Sequence, residues 1–186
     1  MSESNSWYDV VTSGSKQLLQ GDLVFDCSVA VPLEYPNEKN TPAQRKIFDV
    51  IVLSQSCDLE NSKVVFAVVC PFFELSTFME THATLFKDPS TNRFLGRDAQ
   101  PGFHALNPVS ISGMEHDFLI VDFHNTFSVP VKQLRDQVSA MTTPRLRLCS
   151  PYRERLAQAF ANYYMRVALP TQLYKPLGSA TRPPNG

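Results

Sequence analysis

No apolar run in this sequence is long enough to cross a bilayer. The longest, Val64 to Phe73, is about half of the roughly 20 residues that a spanning helix needs. A membrane-spanning helix is excluded, and no membrane partner is expected. The opening Met-Ser-Glu-Ser-Asn-Ser lacks the basic-then-apolar order of a secretion signal, so a cytoplasmic protein is expected. Cysteine is sparse: Cys27, Cys57, Cys70 and Cys149 stand apart with no Cys-x-x-Cys pair. That spacing argues for reduced thiols over disulfides and gives no zinc framework, so neither a metal nor a cofactor is expected. Charged residues make up only 19% of the chain. There is no internal repeat and no low-complexity tract before the polar end at Gly178 to Gly186.

What is present suits a packed core. Apolar residues make up 43% of the 186, with 13 Phe and 6 Tyr to fill it, and a chain of this length buries roughly 70% of its unfolded surface. The expected organisation is an arm over residues 1–19, one globular domain over 20–175 and a tail over 176–186.

Strand signals dominate. Leu23 to Val31 follows the turn Gln20-Gly21-Asp22 and ends at Pro32, and Glu34 to Gln44 reads as an exposed loop. Lys46 to Leu53 reads as the central strand, because four consecutive apolar residues from Val50 imply burial on both faces. A polar turn at Gln55 to Ser62 precedes another strand from Val64 to Cys70, stopped by Pro71. Short strands are expected at Arg93 to Leu95, Phe103 to Leu106 and Asp117 to Phe123. Arg145 to Leu148 alternates strictly, which places both arginines on one face. Helices are expected over Glu74 to Phe86, over Pro130 to Val138, and from Ser150-Pro151, where Tyr152, Leu156, Phe160, Tyr163 and Val167 form an apolar stripe closed by Pro170. Ser6 to Leu19 carries at most a short helix or arm. Together these predict an α+β fold: a bent antiparallel, barrel-like sheet packed by a C-terminal α-helix and one or two short helices.

Two constellations carry chemistry. Ser54-Gln55-Ser56-Cys57-Asp58 closes a buried strand, so it presents small polar groups at a sheet rim on a rigid support. A Cys57 nucleophile would need a base, and His104 and His124 each lie near a strand end, with Asp122 placed to orient the latter. The alternative is a buried thiol and an Asp58 that bonds its own turn. His82 and His116 read as surface residues.

The second constellation is basic. From Thr143 onward seven basic residues stand against one acid, a net of +6, while the first 142 residues carry ten basic and 17 acidic, a net of −7. Arg145, Arg147, Arg153, Arg155 and Arg166, with Tyr163 and Tyr164, describe a phosphate-gripping, base-stacking surface for single-stranded nucleic acid. The alternative is internal pairing with the acidic part of the chain, and a pI near 6.4 is low for a dedicated nucleic-acid binder.

Gly21-Asp22-Leu23-Val24, then Val50-Ile51-Val52-Leu53-Ser54 after a long loop, then Lys63 to Val69, resemble the element order of the PemK/MazF toxin family over residues 20–75. The resemblance implies a small bent barrel with a C-terminal helix and metal-independent cleavage of RNA. Where that family places Arg-Pro ahead of the Val-Leu-Ser strand, this chain has Phe48-Asp49; Ser54 alone keeps the strand-end hydroxyl. Leu53 to Glu60 and Ser150 to Val167 also resemble an uncharacterised bacterial family of similar length, which implies no activity. The functional expectations are therefore a binding or regulatory module with a groove at Ser54 to Asp58, a PemK/MazF-like endoribonuclease using Ser54, Arg145, Arg147 and His104, or a cysteine-dependent enzyme. A protein or single-stranded RNA partner and a homodimer are compatible with each.

Overall fold

The computed structural model describes residues 7–32, 43–83 and 102–165. Its elements are β1 (Tyr8–Val11), β2 (Leu23–Val31), β3 (Gln44–Val52), α1 (Ser56–Glu60), β4 (Phe66–Glu74), α2 (Leu75–Thr81), β5 (Phe103–Leu106), β6 (Leu119–Asp122), β7 (Phe127–Pro130), α3 (Val131–Ala140), β8 (Arg145–Leu148) and α4 (Tyr152–Tyr164). The protein is α+β, and its strand pairings are antiparallel. The main sheet runs β2-β3-β4-β6-β5 with β7 also on β4, and β1 pairs β8 in a separate two-stranded ribbon. β2 and β5 end that order, so the described pairings do not close a barrel.

The centre of the sheet is buried on both faces. Val50, Ile51 and Val52 are fully buried and Leu53 nearly so. Alternation sends Val50 and Val52 into a cluster with Val69, Val129 and the α3 residues Leu134 and Val138. Ile51 and Leu53 point the other way, into a cluster with Phe72, Val121, Phe123, Leu146, Tyr152 and Leu156. The sheet is therefore sandwiched between α3 on one side and the β1-β8 ribbon with α4 on the other. Gln133 and Gln137, one turn apart on α3, donate to the carbonyls of Ser28 and Phe25, so the helix also satisfies acceptors of β2.

Several expectations are corrected. Tyr8–Val11 is a strand instead of a short helix or arm, because β8 offers it a complete antiparallel partner. The polar turn after β3 contains α1, closed by Ser62 in the left-handed region at φ 53°. β4 passes through Pro71 instead of stopping there. Pro71 lies opposite Val50 where the other edge of β4 changes partner from β7 to β6, so the ladder is already interrupted at the residue that lacks an N–H. β7 gave no separate signal, because Phe127 to Pro130 reads as a continuation into α3. The helix expected from Ser150-Pro151 has Pro151 at its N-cap position and Glu154 in its first turn. The expected Arg93–Leu95 strand and most of the Glu34–Gln44 loop lie outside the described residues, as do the ends of the helices predicted to run on to Phe86 and past Met165. No helix among the described residues is long and apolar enough to cross a membrane.

Candidate functional site

β4 positions the most chemically loaded turn in the molecule. Along one edge it pairs first with β7, where Val69 faces Phe127, and then with β6, where Phe72 faces Val121. Six residue steps on β6-β7 thus match three on β4, and the excess is extruded as the turn Phe123–Thr126. The turn is organised by Asp122, which is only 4% exposed. Its carboxylate accepts the His124 backbone N–H at 2.9 Å, the His124 Nδ1–H at 2.8 Å and the Asn125 side-chain amide at 2.6 Å. A carboxylate only accepts, so Nδ1 carries the hydrogen, and in the neutral imidazole Nε2 is then the lone-pair acceptor.

The His124 side chain is half exposed, between Phe103 at 4.7 Å and Tyr163 at 5.4 Å between ring centroids. Gly102 underlies it: a Cβ there would fall 1.9 Å from Cε1 and 2.4 Å from Nε2, so only glycine leaves the ring in place. The end of α4 continues the aromatic surface. Tyr163 meets Tyr164 at 5.0 Å and Phe160 meets Tyr164 at 5.1 Å, and the Tyr164 hydroxyl is tied to the Thr126 hydroxyl at 2.9 Å.

His104 lies one strand away, half-buried and stacked on Phe123. Burial, and then the Arg155 guanidinium, push its pKa down to about 4. His104 is therefore neutral near pH 7. His82 and His116, expected at the surface, are half-buried: His82 stacks on Phe78 at 4.2 Å, and the His116 Nδ1 meets Glu74 at 3.0 Å.

The basic constellation divides. Arg145 is 2% exposed and bonds Asp22 through Nε and Nη2 at 3.3 Å each, as well as the carbonyls of Ser15 and Gln17. Arg147 bonds the same fully buried carboxylate through Nε and, at 3.0 Å, through Nη2. The N–H of Leu19 completes the shell at 3.1 Å. Both guanidiniums thus face the acidic part of the chain internally. Burial lowers the Arg145 pKa despite Asp22, which opposes the shift. Arg153 pairs with its neighbour Glu154 at 2.7 Å, and Arg155 is exposed on α4. Arg166 lies outside the described residues.

At the Ser54–Asp58 rim the Ser54 hydroxyl accepts the Val68 N–H at 2.8 Å, and Asp58 lies 3.7 Å from Lys63. Cys57 is exposed on α1, its sulfur 3.6 Å from the Asp58 carboxylate and 3.8 Å from the Gln55 amide oxygen. The rim is attached to the β3 edge of β4, while His104 and His124 lie beyond the opposite edge. The structure therefore brings Asp122 to His124, His104 to Arg155, and Arg145 to Arg147, and leaves Cys57 apart from both histidines. Burial pushes the other thiols up, Cys27 and Cys149 to about 11 and Cys70 to about 12. Among the described residues no three His, Cys, Asp or Glu side chains are grouped to hold a metal ion.

Asn125, Gly102 and Asp22 escape the sequence reading. Asp122 and His124 share a strand face by spacing, but nothing local marks the amide, the glycine or the distant arginines. Comparison with protein-family models, curated proteins and solved structures finds no match, so no family is assigned.

Proposed function

We propose that the protein is a cytoplasmic binding module for single-stranded RNA, with its ligand surface on the Phe123–Thr126 turn and the adjoining end of α4. The observation that carries this reading is the row of rings from Phe160 through Tyr164 and Tyr163 to His124, with Tyr164 55% exposed. Such a row accepts stacked bases, while Asn125 supplies a hydrogen-bonding amide and Arg155 a cation for the backbone. Phosphate contact falls to Arg155 because the Arg145 and Arg147 guanidiniums are engaged by Asp22. The Ser54–Asp58 rim acts as a brace for the β3-β4 connection. A barrel-like curvature of the sheet is supported by the 5.1 Å contact of Phe48 on β3 with Phe127 on β7, which reaches around β4.

Fluorescence anisotropy with labelled ten-nucleotide RNA tests the reading. Stacking contributes about 1–3 kcal/mol per base, so Tyr164→Ala weakens binding by roughly tenfold. Absence of binding by any single strand, or wild-type affinity in Tyr164→Ala, contradicts it.

A further inference from the structure

We infer that the Asp122-organised turn selects guanine, reading the Watson–Crick edge of a base through His124 Nε2 and the Asn125 side-chain oxygen. This inference rests on the single-stranded RNA reading and adds base identity to it. It follows from which atoms Asp122 occupies. His124 donates through Nδ1 and Asn125 through its amide nitrogen, both to one buried carboxylate. With the imidazole neutral, each side chain has one donor end and one acceptor end, and the donor ends are turned toward Asp122. What remains for a ligand includes a pair of acceptors on consecutive residues, His124 Nε2 and the Asn125 side-chain oxygen, beside the second N–H of the Asn125 amide, on side chains that the structure leaves half exposed and exposed. Gly102 packs against the ring and, having no side chain, lets the imidazole keep this position, since a Cβ would stand 2.4 Å from Nε2.

Two neighbouring acceptors are complementary to two neighbouring donors. Guanine carries them, as N1–H and the N2 amino group. Uracil presents one donor between two carbonyls, and adenine and cytosine pair each amino group with a ring acceptor. Opposite acceptors, those bases leave lone pairs facing lone pairs, which penalises the wrong base more than it weakens the right one. Tyr163 and Phe103 flank the imidazole and supply the apolar walls. Asp122 is the positioning residue: it touches no ligand but fixes which atom of each reader faces out.

Anisotropy titrations use ten-nucleotide oligouridylates carrying one central G, A, inosine or no replacement, with the full chain. A well-made bidentate base contact discriminates by tenfold or more, so the G strand binds about tenfold tighter than the A and U strands, with inosine between them. Asp122→Asn lets the imidazole tautomer and the amide turn over, and its G-to-A ratio falls to about one. Asn125→Ala, on an exposed residue, lowers the ratio without Asp122 being touched. Equal wild-type affinity for the G, A and U strands overturns the selection while leaving RNA binding intact, as does a ratio kept by Asp122→Asn. Failure of every strand to bind overturns both.

Discussion

Two carboxylates are buried among the described residues, Asp22 and Asp122, and their partners divide the molecule into a part that holds the fold and a part that presents chemistry. Asp22 gathers two guanidiniums and a backbone N–H, with Arg145 itself almost wholly enclosed. Both guanidiniums share that one carboxylate and the carbonyls beside it, and the arrangement ties β8 to the start of β2. Asp122 gathers a half-exposed imidazole and an exposed amide. The same functional group closes a circuit at one place and orients outward-facing acceptors at the other. The difference lies in what sits behind each donor: arginine has no acceptor to offer, whereas histidine and asparagine each have one.

The largest expected effect separates the two directly. Asp22→Ala leaves two enclosed cations facing each other and is expected to destabilise the protein by about 3–5 kcal/mol in urea titrations. Asp122→Asn keeps the shape of the turn and is expected to cost about 1 kcal/mol, the scale of one hydrogen bond. Equal losses at the two positions break the comparison.

Gly102→Ala sharpens it from the other side. The added Cβ would fall 1.9 Å from His124 Cε1, so the ring must leave Asp122. Guanine preference is then expected to fall at least threefold toward the Asp122→Asn value, with the Asp22 cluster and its stability contribution unchanged. Retained preference shows that the ring position is immaterial.

The smallest effect is a slope. His104 has a folded pKa of about 4 against 6.5 for the free side chain, through burial first and Arg155 second. Between those values the unfolded chain binds the proton and the folded chain does not, so stability declines as pH falls from 6.5 towards 4. His104→Gln is expected to flatten that part of the urea-midpoint profile relative to wild type. An unchanged slope means that His104 is not held neutral.

The frame was more legible in the sequence than the site. Val50 to Leu53 declares burial on both faces because four apolar residues in a row have no solvent side, and Phe103 to Leu106 is bounded as read. Arg145-Leu146-Arg147-Leu148 announces a shared arginine face by alternation alone. Their target was hidden, because Asp22 sits in a turn sequence and its guanidiniums lie more than 120 residues away. Pro71 misled, since its strand-breaking character matters only where a ladder bond is required. At the site, the two-residue spacing of Asp122 and His124 was readable. The three-residue mismatch along β4 that extrudes Asn125, and the approach of Gly102, exist only once distant strands are paired.

The most direct test is the ratio of guanine-strand to adenine-strand affinity measured for Asp122→Asn beside wild type. About tenfold in wild type, falling to about one in the variant, is the predicted result. A ratio of one in wild type, or the same preference in both proteins, contradicts the assignment of Asp122 as the residue that sets what the turn reads.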